Sequence, residues 1–213
     1  MSCCVRARSE KQKEQCLAEI KEAADALFSA IDYQEITLTT IANKLGWSRC
    51  KLYNYVTTKE DIFLEIIADK RDAYMTNLLS AYPLGCTYSH EVLAEVWANI
   101  LNCHRDYLKY CAILSTIIET NVSIERLAAF KKSYYALADQ LDSVLAENLH
   151  ISREKAEQLF LAIYHYAVGT NSGCQNHPLI KEAMSLIGKE KTNIPFCETM
   201  KDFILMCLNW YTK

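Results

Sequence analysis

Along most of this chain apolar residues return about every three to four positions, the spacing of helices that bury one face. Leu17, Ile20, Ala24, Leu27, Phe28 and Ile31 trace one such face and predict a first helix from about Ser9 to Ile31. Leu38, Ile41, Ala42 and Leu45 predict a two-turn helix that stops at Gly46, the residue best able to adopt the left-handed backbone closing a helix. Ser48 then stands as the N-cap of a second short helix carrying Leu52, Tyr53 and Val56. Thr58-Lys59-Glu60-Asp61 has the form of a capping box, and Ile62, Phe63, Ile66, Ile67 and Tyr74 continue a helix to about Ala81, ahead of Pro83 and Gly85.

From His90 the pattern stays helical to the end. One stripe runs through Leu93, Val96, Trp97, Ile100, His104, Tyr107, Leu108 and Cys111, and a second through Leu127, Phe130, Tyr134, Leu137, Ala138, Leu141 and Leu145. A third segment, Ala156 to Val168, and the last, Ile194 to Tyr211, are apolar on nearly every side, and a helix of that kind is buried all round. Two of them near the C-terminus predict a four-helix contact with a second copy across a two-fold axis, through Phe160, Tyr164, Ala167, Phe203, Met206 and Trp210.

Composition agrees with helices. The 213 residues include only five glycines and three prolines, too few turn residues for a many-stranded protein, and they suffice for one ordinary domain and a small second one. No apolar run reaches the ~18 residues of a membrane span and no secretion signal opens the chain, so the expectation is a cytoplasmic protein without a membrane partner. Ten cysteines fall within helical patterns with no CxxC pair, which reads as reduced thiols. Cys174 and His177 share a loop but lack a second ligand pair, so no metal and no cofactor is expected. Cys50, Cys103 and Cys111 are candidates for a thiol switch.

The net charge of −3 is uninformative, but its distribution is not. Thr37 to Lys59 carries Lys44, Arg49, Lys51 and Lys59 and no acid, and the leader has Arg6, Arg8, Lys11 and Lys13 against Glu10 alone. Positive charge thus gathers around a possible helix-turn-helix. Ala42 lets two helices approach, Gly46 turns the chain, and Leu52 plugs the junction, leaving Arg49, Lys51 and Asn54 outward as base-reading and phosphate-binding side chains.

Ala23-Ala24, Leu27-Phe28, Tyr33, Leu38-Thr39-Thr40-Ile41-Ala42, Leu45-Gly46, Ser48, Leu52-Tyr53-Asn54-Tyr55-Val56 and Lys59-Glu60-Asp61 follow one another without a gap. In this order the segment from about Ile20 to Ile67 resembles the N-terminal domain of the tetracycline-repressor (TetR) family. It departs at Asp32, where the family usually has Gly, and at Val56, where Phe is commoner. The resemblance implies that Thr37, Tyr53, Tyr55 and Lys59 hold phosphates, while Thr39, Arg49, Lys51 and Asn54 approach base edges beside the N-cap Ser48. The basic leader is placed to reach a flanking minor groove.

The expected fold is therefore all-α: a three-helix helix-turn-helix DNA-binding domain over residues 1–75, then a helical ligand-sensing and dimerisation domain over 76–213. In the second domain Trp97, Ile100, His104, Tyr107, Tyr134, Tyr164 and His165 offer aromatic walls with polar tips, suited either to a cavity for an apolar or aromatic small molecule or to a packed core. The implied function is a homodimeric, ligand-responsive transcriptional regulator, a repressor released from a palindromic DNA operator by a small-molecule effector. The rival is a helical protein-interaction adaptor that does not use its head on DNA. An enzyme is not expected, since no nucleophile-base pair, Gly-rich phosphate loop or paired carboxylates stand at working spacing.

Overall fold

The computed structural model describes residues 10–175 and 177–213. Of the basic leader expected at a minor groove, Arg6 and Arg8 lie outside the described residues, as does Asn176, whereas Lys11 and Lys13 are exposed on the first helix. Among the described residues the chain is all-α, with α1 (Glu10–Ala30), α2 (Leu38–Lys44), α3 (Arg49–Tyr53), α4 (Lys59–Ala81) and α5 (His90–Cys103). Then come α6 (Arg105–Ile113), α7 (Ile124–Leu149), α8 (Arg153–Gly173), α9 (Pro178–Leu186) and α10 (Phe196–Tyr211). Residues up to Asp69 together with Leu114–Lys131 form one compact unit, and Lys70–Ile113 with Lys132–Lys213 form another.

The first unit is held by an aromatic trio. Phe28, Tyr33 and Phe63 meet edge to face, the Tyr33 and Phe63 ring centres 4.9 Å apart and those of Phe28 and Phe63 5.3 Å apart. Around them Ile20, Ile36, Ile41, Leu52 and Ile67 are fully buried. The capping box expected at the start of α4 forms: the Asp61 amide donates to Thr58 Oγ1 at 3.0 Å and the Thr58 amide donates to Asp61 Oδ2 at 3.1 Å. Asp61 is only 4 % exposed, and its other oxygen lies 3.2 Å from the guanidinium of Arg126, which α7 contributes to the same unit.

In the second unit α10 packs on α5 and α8, and α6 on α8. Polar tips of its buried aromatics are satisfied: the Trp97 indole donates to the Tyr74 hydroxyl at 2.9 Å, and the Tyr82 hydroxyl donates to the Leu93 carbonyl at 2.7 Å. Arg105 and Asn171 bond reciprocally, side chain to side chain at 2.9 Å and Asn171 amide to Arg105 carbonyl at 3.1 Å.

Three local features depart from the periodic pattern. The stripe from Leu93 to Cys111 is two helices, broken at His104 (φ −110, ψ 29), whose amide is shared between the Ile100 and Leu101 carbonyls. The apolar faces of α5 and α6 stay nearly in phase across that break, so periodicity alone does not reveal it. After α6 the chain makes a π-helical turn over Leu114–Ile118, closed by Glu119 N–H to the Leu114 carbonyl at 2.9 Å. Finally, His177 ends the connection after α8: its Nδ1 accepts the Leu179 amide at 3.2 Å as the N-cap of α9, and Pro178 takes the first helical position.

Candidate nucleic-acid interface

Two short helices build the candidate surface, and local chemistry fixes both ends of the first. Thr37 Oγ1 accepts the Thr40 amide at 3.1 Å while Thr40 Oγ1 accepts the Thr37 amide at 2.9 Å, a reciprocal cap that starts α2. At its other end Gly46 has φ 65, its amide donates to the Asn43 carbonyl at 3.1 Å, and the Trp47 amide donates to the Ala42 carbonyl at 2.9 Å. That is the two-bond closure which requires a left-handed residue. Ser48 Oγ then accepts the Lys51 amide at 3.2 Å and starts α3. Ala42 and Leu52, both fully buried, lie at the packing of α2 on α3.

The face left outward is basic. Ser48, Arg49, Tyr53 and Asn54 are exposed, Tyr53 with 51 % of its surface in solvent, and Thr37 is exposed at the start of α2 with Thr39 half-buried behind it. Lys51 is half-buried because its ammonium lies 3.3 Å from the centre of the Trp47 ring. This cation–π contact holds the charge in place. Trp47, which the sequence pattern left unassigned, therefore shapes the face; its signal is the four-residue spacing to Lys51.

Two of the expected phosphate ligands are engaged elsewhere. Tyr55 is half-buried, with its ring 5.8 Å from that of Trp47 and its hydroxyl bonded to the Cys16 thiol of α1, a contact that raises the phenol above its ordinary value. Lys59 donates to the carbonyls of Tyr33 at 3.0 Å and Ile36 at 2.7 Å and lies 3.9 Å from the Tyr33 ring centre. Partial burial lowers its pKa, with Glu60 opposing the shift. Two of the three ammonium donors thus tie α4 to the turn before α2.

The body residues fall in several places. Trp97 and Tyr107 are core: Tyr74 and Tyr107 rings lie 5.6 Å apart, and Trp97 stacks at 6.4 Å on Phe160. Phe160 in turn stacks on Tyr164 at 6.4 Å. His104 Nε2 sits 2.8 Å from the Asn77 amide nitrogen, and burial lowers its pKa, consistent with a neutral ring accepting that bond. Ile100 is half-buried on α5 and His165 is exposed. Of the seven expected ligand contacts only Tyr134 lines the groove between α7 and α8. Phe160 and Ala167, expected to meet a second copy, are buried within one chain at 4 % and 0 % exposure, whereas Met206 and Trp210 are 58 % and 70 % exposed. Phe203 and Tyr164 are half-buried, Phe203 stacked 3.7 Å from Tyr166.

The thiols divide in the same way. Burial pushes the Cys111 thiol up to about 11, which leaves it protonated and unreactive, while Cys50 and Cys103 are exposed. Among the described residues no group of three or more His, Cys, Asp or Glu side chains could hold a metal ion.

A short capped helix with a basic outer face, braced by a second helix across a left-handed turn, is the geometry of a helix-turn-helix DNA-binding head. Residues 69–209 match the family model described as "Tetracyclin repressor-like, C-terminal domain". The chain belongs to the tetracycline-repressor family of transcriptional regulators. Similar solved structures include a TetR-family regulatory protein from Rhodococcus RHA1, at 15 % identity and TM-score 0.64, covering 92 % of this chain and 96 % of that one. A TetR/AcrR-family regulator from Thermobifida fusca has 16 % identity and TM-score 0.59, with 92 % and 98 % covered. The fatty acid degradation regulator FadR from Bacillus halodurans has 12 % identity and TM-score 0.56, with 97 % of each chain covered. No curated protein matches the chain.

Proposed function

We propose that this regulator is a homodimeric repressor that binds a palindromic DNA operator through α3 and is released by a small-molecule effector. The observation that carries the reading is the outer face of α3, where Arg49, Lys51 and Asn54 stand in a stretch without a single acid from Thr37 to Lys59. Arg49 forks onto a guanine, a contact worth about 1–3 kcal/mol of discrimination. Lys51, Asn54 and Thr39 approach neighbouring base edges, while Thr37, Ser48 and Tyr53 bind phosphates, with Lys59 contributing its remaining donor.

Two copies are joined through the outer faces of α8 and α10. The stacked Tyr166 and Phe203, with Met206 and Trp210 beside them in sequence on α10, leave large apolar side chains open in a single chain, a pattern that supports a partner surface. Residues 1–75 act as the head and 76–213 as the sensor, with α4 carrying the signal between them. An effector that fits one arrangement of the sensor helices shifts the population toward it and spoils the spacing of the two recognition helices. The protein acts by binding rather than catalysis, in the cytoplasm; no helix among the described residues is long and apolar enough to cross a membrane.

Selection of bound sequences from a random duplex pool tests the reading. A two-fold symmetric motif is expected; enrichment of an asymmetric motif, or of none, overturns it. Arg49→Ala should lower operator affinity tenfold or more while leaving the weak affinity for random duplex intact.

A further inference from the structure

The groove between α7 and α8 has a volume of about 450 Å³ and an acidic lining. Asp139 and Asp142 from α7 and Glu154 and Glu157 from α8 line it, against one cation, Arg153. That guanidinium is already committed, to Asp139 Oδ1 at 3.1 Å and to the Asp139 carbonyl at 3.3 Å. Glu154 accepts from the Gln158 amide at 3.4 Å.

Asp142 stands apart. It is 8 % exposed, it lines the groove, and its Oδ1 is buried without a hydrogen-bond partner. A buried acceptor left unpaired is costly, and more so when it carries charge, so the site gains by receiving a donor with positive charge. Aromatic side chains line the same groove: Tyr134 and Tyr135, which pack edge to face at 5.1 Å, and Phe160. Rings of this kind attract cations and accept the apolar body of a ligand. A bare divalent ion fits poorly, because among the described residues no cluster of His, Cys, Asp or Glu is close enough to hold a metal. A quaternary ammonium has no N–H for Asp142 Oδ1, whereas a primary ammonium has three.

We propose that this groove binds a protonated primary amine with an aromatic or similarly apolar body, its ammonium on Asp142 and its body against Tyr134, Tyr135 and Phe160. The inference rests on the effector reading for its regulatory consequence only; the binding itself does not require it.

Calorimetric titration of the full chain with 2-phenylethylamine at pH 7.5, without DNA, tests the groove alone, so failure of operator recognition cannot be mistaken for failure here. The amine should bind at least tenfold more tightly than its neutral analogue 2-phenylethanol and than the anion phenylacetate. Asp142→Asn should abolish that preference, and Glu157→Gln, at an exposed position, should weaken amine binding about threefold even should the first variant not fold. Equal affinity for amine and alcohol, no binding of the amine, or unchanged binding in a folded Asp142→Asn or in Glu157→Gln would each overturn the proposal.

Discussion

Asp142→Asn has a thermodynamic signature of its own. Burial, with repulsion from Glu157, raises the Asp142 carboxyl from 3.8 to about 6, against the smaller opposing pull of Arg153 and with Asp139 adding to the rise. A folded-state pKa above the unfolded one means that the native protein prefers the protonated form. The associated stability is fully present below pH 3.8 and is lost as pH rises through about 6. At about 1.4 kcal/mol per pKa unit the interval corresponds to about 3 kcal/mol at most, less whatever groove water screens. Asparagine keeps the shape and removes the ionisation. The variant should therefore match the wild type near pH 4 and exceed it near pH 8 by up to about 3 kcal/mol, or roughly 6–12 °C in Tm for a chain of this size. Thermal and guanidinium unfolding of both proteins across that range provides the comparison, and the difference between them cancels other titrating groups such as His104. A gap that does not change with pH, or a variant less stable than wild type at pH 8, would refute the account of a strained, unpaired carboxylate.

Other substitutions probe the head and the hairpin. Leu52→Ala empties a fully buried position between α2 and α3 and should cost about 2–5 kcal/mol, measured by denaturant unfolding, with DNA affinity falling alongside. At Gly46 (φ 65) an added Cβ meets nothing within 4 Å, so Gly46→Ala should cost only the left-handed backbone penalty, about 1 kcal/mol, rather than a clash. His150, between α7 and α8, holds φ 54 without being glycine, so His150→Gly should stabilise the chain by up to about 1 kcal/mol; destabilisation would point to a side-chain role.

The head was legible because its signals are local. Gly46, Ser48 and the Thr58–Asp61 pair each act over a few neighbouring residues, and each cap forms where its residue type implies, whereas the Thr37–Thr40 box emerged only in the fold. What sequence did not reveal depends on atoms distant in the chain. Lys59 looks like a free cation until the Tyr33 and Ile36 carbonyls are seen to accept its hydrogen bonds. In the body, aromatic spacing could not separate a cavity from a core, because Trp97 and Tyr107 occupy the same apolar phase in either case; in the folded chain both are buried, at 1 % and 4 % exposure. The acidic groove escaped notice since Asp142 and Glu157 lie on different helices, and a charge in a polar phase reads as solvated. The all-apolar circumference of α10 predicted burial against a second copy, and in the single chain Met206 and Trp210 are exposed.

The pairing of Asp61 with Arg126 bears on how this protein can be cut. A fragment ending at residue 75 would keep the recognition helix and every cap, yet it would strip the guanidinium from a carboxylate that is 4 % exposed. Arg126 is itself 40 % exposed, so the loss is that of a buried acceptor's partner, about 1–3 kcal/mol, still a noticeable share of what a small helical piece can muster. The helix-turn-helix unit would thus depend for its integrity on a residue some sixty positions further along the chain.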